Sequence, residues 1–209
     1  METDSNLLVN AVLSAALNVV LFAGLPFLGY WIYHRLRHKR TFAELARRAG
    51  LQLGSGRHLL YSLAFAVAAV AILVIRPLPL EPFTRDGSPQ QAFVGMGLGG
   101  LAVPLALLYG VFKTGFAEEF LFRGLIAGSL GRRLSLRWAN LLQALIFLLT
   151  HLLLLRIMPE MWGMLPVVFV GALFLGWARI ESGSILGSWL IHASANVAMC
   201  LSVAVRTAH

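Results

Sequence analysis

Glu118, Glu119 and Arg123 stand together in the stretch AEEFLFRG (Ala117 to Gly124), inside a run that is otherwise apolar. Two more polar clusters occur in later apolar runs: Phe147 and His151 in FLLTH, and His192 and Asn196 in HASAN. A charge at the centre of a bilayer costs about 2.5–3.5 kcal/mol or more, so ionisable residues in such runs are functional candidates by default. Glu119 and Arg123 are four apart and share one helical face, which lets them neutralise each other. Glu118 is turned about 100° from Glu119 around the helix axis and cannot use the same arginine equally well. It points instead among Leu121, Phe122 and Leu125, where loss of water favours its use as a general base. His192 and Asn196 are also four apart and present two hydrogen-bond donors on one face, and Phe147 and His151 repeat that spacing on another helix. A base, a histidine partner and a donor pair on three helices are the groups that a hydrolytic site would need.

Each cluster has a structural reading when taken alone. A Glu–Arg pair can glue two helices, His151 can be a hydrogen-bonded core histidine, and Asn196 can pack a helix interface. The recurrence of three such clusters, in order and in separate apolar runs, favours chemistry over glue.

The elements that position these residues follow from composition. The chain has 209 residues, 58% hydrophobic and 12% charged, against about 25% charged in a soluble domain. Mean hydropathy is +0.78, and runs long enough to cross a bilayer recur. The expected fold is all-α, one polytopic transmembrane helix bundle over residues 1–209, with about six spans (five to eight) and a catalytic cavity within the membrane. The runs fall at about 7–33, 59–75, 92–112 extending towards 130, 139–157, 162–179 and 185–205. The first run, Leu7–Tyr33, is far longer than a signal-peptide core and follows an acidic start, so it reads as a retained helix. Cys200 is the one cysteine, which excludes an intrachain disulfide.

The net charge of +8 does not indicate a nucleic-acid partner, because it is confined to two short loops. Residues 34–58 carry Arg35, Arg37, Lys39, Arg40, Arg47, Arg48 and Arg57 against Glu44, and Gly131–Trp138 adds Arg132, Arg133 and Arg137. Basic loops beside apolar runs mark the cytoplasmic side, with attraction of anionic lipids to the first loop as a further effect. Within it, TFAELARRAGL suits a short amphipathic helix on the inner surface, through Phe42, Leu45 and Leu51. If both loops are inside, 92–130 makes one net crossing and the N-terminus is outside. That stretch is too long for a single straight span and so is in part tilted, broken or surface-lying, with the break expected near Lys113-Thr114-Gly115. Gly95 and Gly99 form a G-x-x-x-G spacing that predicts close helix packing rather than a phosphate loop. Tyr30, Trp31, Tyr33, Trp138, Trp162 and Trp177 flank runs as an interfacial belt.

The ordered motifs E-E-x-x-x-R, F-x-x-x-H and H-x-x-x-N, as EEFLFR, FLLTH and HASAN, resemble the CPBP family of intramembrane proteases. That family includes the type II CAAX prenyl endopeptidases and bacterial Abi-type bacteriocin-related proteins. The resemblance covers residues 114–202. It implies that Glu118, with His151, activates a water that attacks the scissile carbonyl, and that His192 and Asn196 stabilise the oxyanion. It implies that Glu119 and Arg123 brace the first motif, Glu119 sharing in acid–base work, and that Phe147 shapes the cavity beside His151. No cofactor is favoured; zinc is the alternative, with Glu118, His151 and His192 as ligands. The partner is then a membrane-anchored protein or peptide: a prenylated C-terminus, a leader or signalling-peptide precursor, or the tail of an exported protein. Small size and Arg-, Ala- and Leu-rich usage favour a bacterial inner membrane, which makes a prenyl substrate the less favoured of these. Two rival readings differ in class. One is a non-proteolytic protector or scaffold of the bacteriocin-immunity type; the other is a proton-coupled transporter, which calls for paired broken helices.

Overall fold

Long apolar stretches wind into long helices, Pro26 being accommodated in the first of them just after a π-helical turn at Val20–Gly24. The computed structural model, which describes residues 4–156 and 159–208, contains no β-strand among them. We number seven helices: α1 (Asp4–His38), α2 (Phe42–Arg48), α3 (Gly56–Ile75), α4 (102–131), α5 (Leu136–Leu154), α6 (Leu165–Ser182) and α7 (Leu186–Arg206). Five of them, all but α2 and α4, are long and apolar enough to cross a membrane by length and composition. α4 packs against α1, α5, α6 and α7 and completes six long rods. The chain is an integral, multi-pass membrane protein. Its outward faces carry Leu13, Leu17, Leu63, Val67, Leu149 and Val170, all more than 45% exposed, and its interior is rich in alanine. Large apolar residues outside and small ones between helices are what a lipid solvent selects. The run expected at 139–157 ends at Ile157, which lies outside the described residues.

The two basic loops meet, as an even number of crossings between them requires. Arg132 Nη1 donates to the Arg48 carbonyl at 3.2 Å, and the α6–α7 turn joins the same end through Ile185 N–H to Gly50 O at 3.1 Å. At the opposite end, Gly97 N–H donates to Ala204 O and Gly95 N–H to Thr207 Oγ1 at 2.8 Å.

Three expectations are corrected here. First, α4 has no break at Lys113–Gly115; it is continuous and widened instead, with π-helical turns over Leu108–Phe116 and Phe120–Ala127. Thr114 Oγ1 donates to the Tyr109 carbonyl five residues back at 3.0 Å, so a polar side chain is satisfied within the helix rather than by ending it. Second, Gly95 and Gly99 lie in turns, where Gly95 (φ 76°) and Gly97 (φ 60°) adopt left-handed backbone; after a single 3-10 turn at Gln91–Phe93, the apolar run 92–112 becomes α-helical only at Ala102. Third, α2 does not simply rest on the inner surface. A Thr41–Glu44 capping box starts it, and Leu45 (0% exposed) and Ala49 (1%) are buried in protein while Phe42 stays exposed.

Two contacts fix the rods that carry the polar clusters. α4 lies against α7 with almost no side chain between: a Cβ on Gly110 would stand 2.8 Å from Val197 N and 3.1 Å from Ala193 O. α5 is held to α6 by Gln143, fully buried, whose Nε2 donates to Ala172 O at 2.7 Å and Asn140 Oδ1 at 2.9 Å. Asn140 in turn donates to Leu173 O at 2.8 Å.

Candidate active site

Glu118 and Glu119 sit on the short α-helical turn between the two π-helical stretches of α4. Such widened turns occur often at functional sites. Adjacent residues leave a helix in different directions, and here the two carboxylates part accordingly. Glu119 is fully buried; its Oε1 lies 3.0 Å from Arg123 Nη1, itself fully buried. The guanidinium meets the carboxylate at ion-pair distance without hydrogen-bond alignment. It also rests on the ring of Phe147, 4.2 Å from the guanidinium carbon to the ring centroid, a cation–π contact that supports a charge away from water.

The same Glu119 Oε1 lies 2.9 Å from His192 Nδ1. A carboxylate only accepts, so Nδ1 carries the hydrogen and donates it. This orients the imidazole so that Nε2 faces Glu118, whose Oε2 is 4.0 Å away. Glu118, with 28% of its side chain exposed, and His192, with 16%, are the accessible members of the cluster. Glu118 is thus less enclosed than its apolar sequence neighbours suggest. Glu119 is tied to two partners rather than to Arg123 alone, because the close α4–α7 approach brings a second helix onto it.

His151 stands on α5 across Phe147. Its ring centroid is 4.5 Å from that of Phe147, and Phe147 lies 6.5 Å, edge to face, from His192. His151 Nδ1 is 3.1 Å from the Phe147 carbonyl. A carbonyl only accepts, so Nδ1–H donates and Nε2 is left as a proton acceptor. Among the described residues His151 is not within ion-pair distance of either glutamate. Phe147 therefore does more than shape a wall: it is the hub touched by Arg123, His151 and His192.

Asn196 lies one turn beyond His192, and its Nδ2 donates to Thr114 Oγ1 at 2.7 Å. Thr114, which the sequence reading treated only as part of a break, relays this to the Tyr109 carbonyl. Trp189 Nε1 donates to Val111 O at 2.8 Å and ties the same two helices. Because Thr114 is the acceptor that aims the Asn196 amide, Thr114→Val is expected to slow turnover about tenfold, the equivalent of one net hydrogen bond. Thr114→Ser is expected to restore it, with the melting temperature of both variants near that of wild type; equal rates for Thr114→Val and wild type would remove Thr114 from the site.

The residues do not gather as a metal-ligand set: among the described residues no three His, Cys, Asp or Glu side chains group closely enough to hold an ion. What the arrangement brings together is an accessible carboxylate and a histidine oriented by a second, neutralised carboxylate, with a further imidazole across Phe147 and an amide held by Thr114. The parts fit proton transfer and hydrogen-bond donation around one polar bond. No curated protein and no solved structure matches the chain. A family model, type II CAAX prenyl endopeptidase Rce1-like, matches residues 100–198, from just before α4 to late in α7.

Proposed function

We propose that this chain, whose residues 100–198 match the Rce1-like type II CAAX prenyl endopeptidase family model, hydrolyses a peptide bond of a membrane-associated protein or peptide. Glu118 takes a proton from a water, with His151 Nε2 as its partner, and the water oxygen bonds to the scissile carbonyl carbon. The carbonyl π electrons move to oxygen, where His192 Nε2–H and the Asn196 amide donate to the oxyanion. The C–N bond then breaks, and the departing amine receives the proton from Glu118. Glu119 stabilises the doubly protonated His192 that can donate from Nε2 while Nδ1–H remains bound to the carboxylate. One preorganised donor of this kind is worth about 2.7–4 kcal/mol in soluble proteases.

The observation that carries this reading is the pairing of roles on α4. Glu119 is spent on Arg123 and His192, while its neighbour Glu118 keeps an accessible carboxylate 4.0 Å from the same histidine. A helix-gluing pair or a scaffold has no use for that second, accessible carboxylate. The test is cleavage of a library of membrane-anchored peptides by the purified protein in liposomes. The expected result is cleavage at a defined bond, at the same rate with and without a chelator. Cleavage that a chelator stops and zinc restores would transfer Glu118, His151 and His192 to a metal mechanism; no cleavage across the library would favour the bacteriocin-immunity type of protector.

A further inference from the structure

At the basic end of the bundle, away from the candidate active site, a cavity of about 430 Å³ is lined by Arg40, Glu44, Arg47, Arg48, Arg132 and Arg179 among others. Five arginines on one small cavity repel one another, so each needs a reason to be there. Part of the reason is structural. Arg132 and Arg179 both donate to the Arg48 carbonyl, at 3.2 and 2.8 Å, and so cap the C-terminal end of α2. Arg179 is 5% exposed and lies in a slot without neighbouring Cβ atoms. A Cβ on Gly50, whose φ is 85°, would come 2.7 Å from its Nε, and one on Gly128 2.9 Å from its Nη2.

The cap accounts for Nη2 of Arg179 but leaves its buried Nε without a partner. Nor does the single acid offset the charge. Glu44 is committed to the start of α2, where its Oε2 accepts from Thr41 N–H at 2.9 Å, a bond that holds its carboxyl below the usual carboxylate range. Among the described residues none of these five guanidiniums has a carboxylate within ion-pair distance. An excess of forked cationic donors, one of them buried and partly unused, matches a phosphate oxygen cluster. The cavity also lies at the basic end of the bundle, lined by Arg40 just beyond α1 and by Gly183 just beyond α6, near Tyr30, whose hydroxyl accepts from Arg132 Nη2 at 3.1 Å. Basic loops and aromatic residues that flank apolar spans are the parts of a membrane protein that meet lipid headgroups.

We propose that this cavity binds the phosphate of an anionic lipid headgroup, with Arg179 at its floor and Arg40 and Arg47 at its rim. The site is independent of peptide cleavage, since none of these residues belongs to the cluster around Glu118. A zwitterionic choline headgroup brings its own cation to the arginines and is disfavoured, whereas a glycerol headgroup leaves the phosphate charge unopposed.

Native mass spectrometry of the purified full chain tests this, with dioleoylphosphatidylglycerol and dioleoylphosphatidylcholine added in parallel. The wild type is expected to retain phosphatidylglycerol about tenfold more than phosphatidylcholine. Arg179→Gln is expected to erase the preference. Because that variant also weakens the α2 cap, the deciding variant is Arg40→Gln/Arg47→Gln, which changes rim residues only. It is expected to melt like wild type and to lose most of the preference. Equal retention of the two lipids by wild type, or an undiminished preference in the rim variant, would overturn the proposal. Displacement of phosphatidylglycerol by an equal concentration of inorganic phosphate would assign the cavity to free phosphate and overturn the lipid assignment.

Discussion

Purified Glu118→Gln protein is expected to cleave its substrate about 100- to 10,000-fold more slowly than wild type, the range for losing a positioned general base, while unfolding at the wild-type temperature. The two halves of this result have separate causes. Glutamine keeps the shape of the side chain and can still fill its place beside His192 Nε2, 4.0 Å away. It cannot accept the proton of a water. No buried ion pair is broken, because the carboxylate that neutralises Arg123 belongs to Glu119. The measurement is single-turnover cleavage in liposomes together with a melting curve on the same preparation. Cleavage within a few-fold of wild type would move the base elsewhere, with His151 Nε2 the next group to test; loss of folding would make Glu118 structural.

Arg123→Met is expected to do the opposite: to destabilise the fold by about 3–5 kcal/mol, as removal of one partner of a buried ion pair does. Glu119 would keep only His192 as a counter-charge in a place with no access to water. Phe147 would lose the cation on its face, and with it the hub that spaces His151 from His192. Glu119→Gln combined with Arg123→Met removes both charges and is expected to recover most of the stability without recovering activity, since Gln cannot supply the charge that favours a doubly protonated His192. Denaturant titration of the two variants and wild type measures this. A single variant as stable as wild type would show that the pair is not a stabilising element. A double variant as active as wild type would remove Glu119 from the mechanism.

These two residues also show what sequence alone makes legible. Glu119 and Arg123 are four apart in one helix, so their shared face follows from helical geometry, and the spacing of His192 and Asn196 is readable for the same reason. The membrane fold is equally legible, because hydrocarbon demands long apolar helices and the two basic loops betray their common side. Contacts between helices are not local and were not legible. That Glu119 serves His192 as well as Arg123 depends on how closely α4 approaches α7. That Thr114 aims Asn196 depends on the same approach and on a widened helix, which Lys113-Thr114-Gly115 disguised as a break. The roles of Asn140, Gln143 and Arg179 were not legible for the same reason, since each bonds a backbone carbonyl of an element distant in sequence. Any polar side chain in an apolar run, ionisable or not, needs a partner, and that requirement is the one local signal of the α5–α6 link and of the arginine slot.

The near-contact of α4 and α7 at Gly110 bears on how this protein can diversify. Where two helices touch through their backbones, no exchange of rotamers can move them apart by a fraction of an ångström, and any larger residue shifts a whole rod. The spacing between the Glu118–Glu119 turn and the His192–Asn196 face is therefore an all-or-none property, lost at once or kept. Variation around the cluster must arise where side chains rather than backbones meet, as at Phe147 and His151 of α5, where residues can change one at a time while the two glutamates and His192 stay in place.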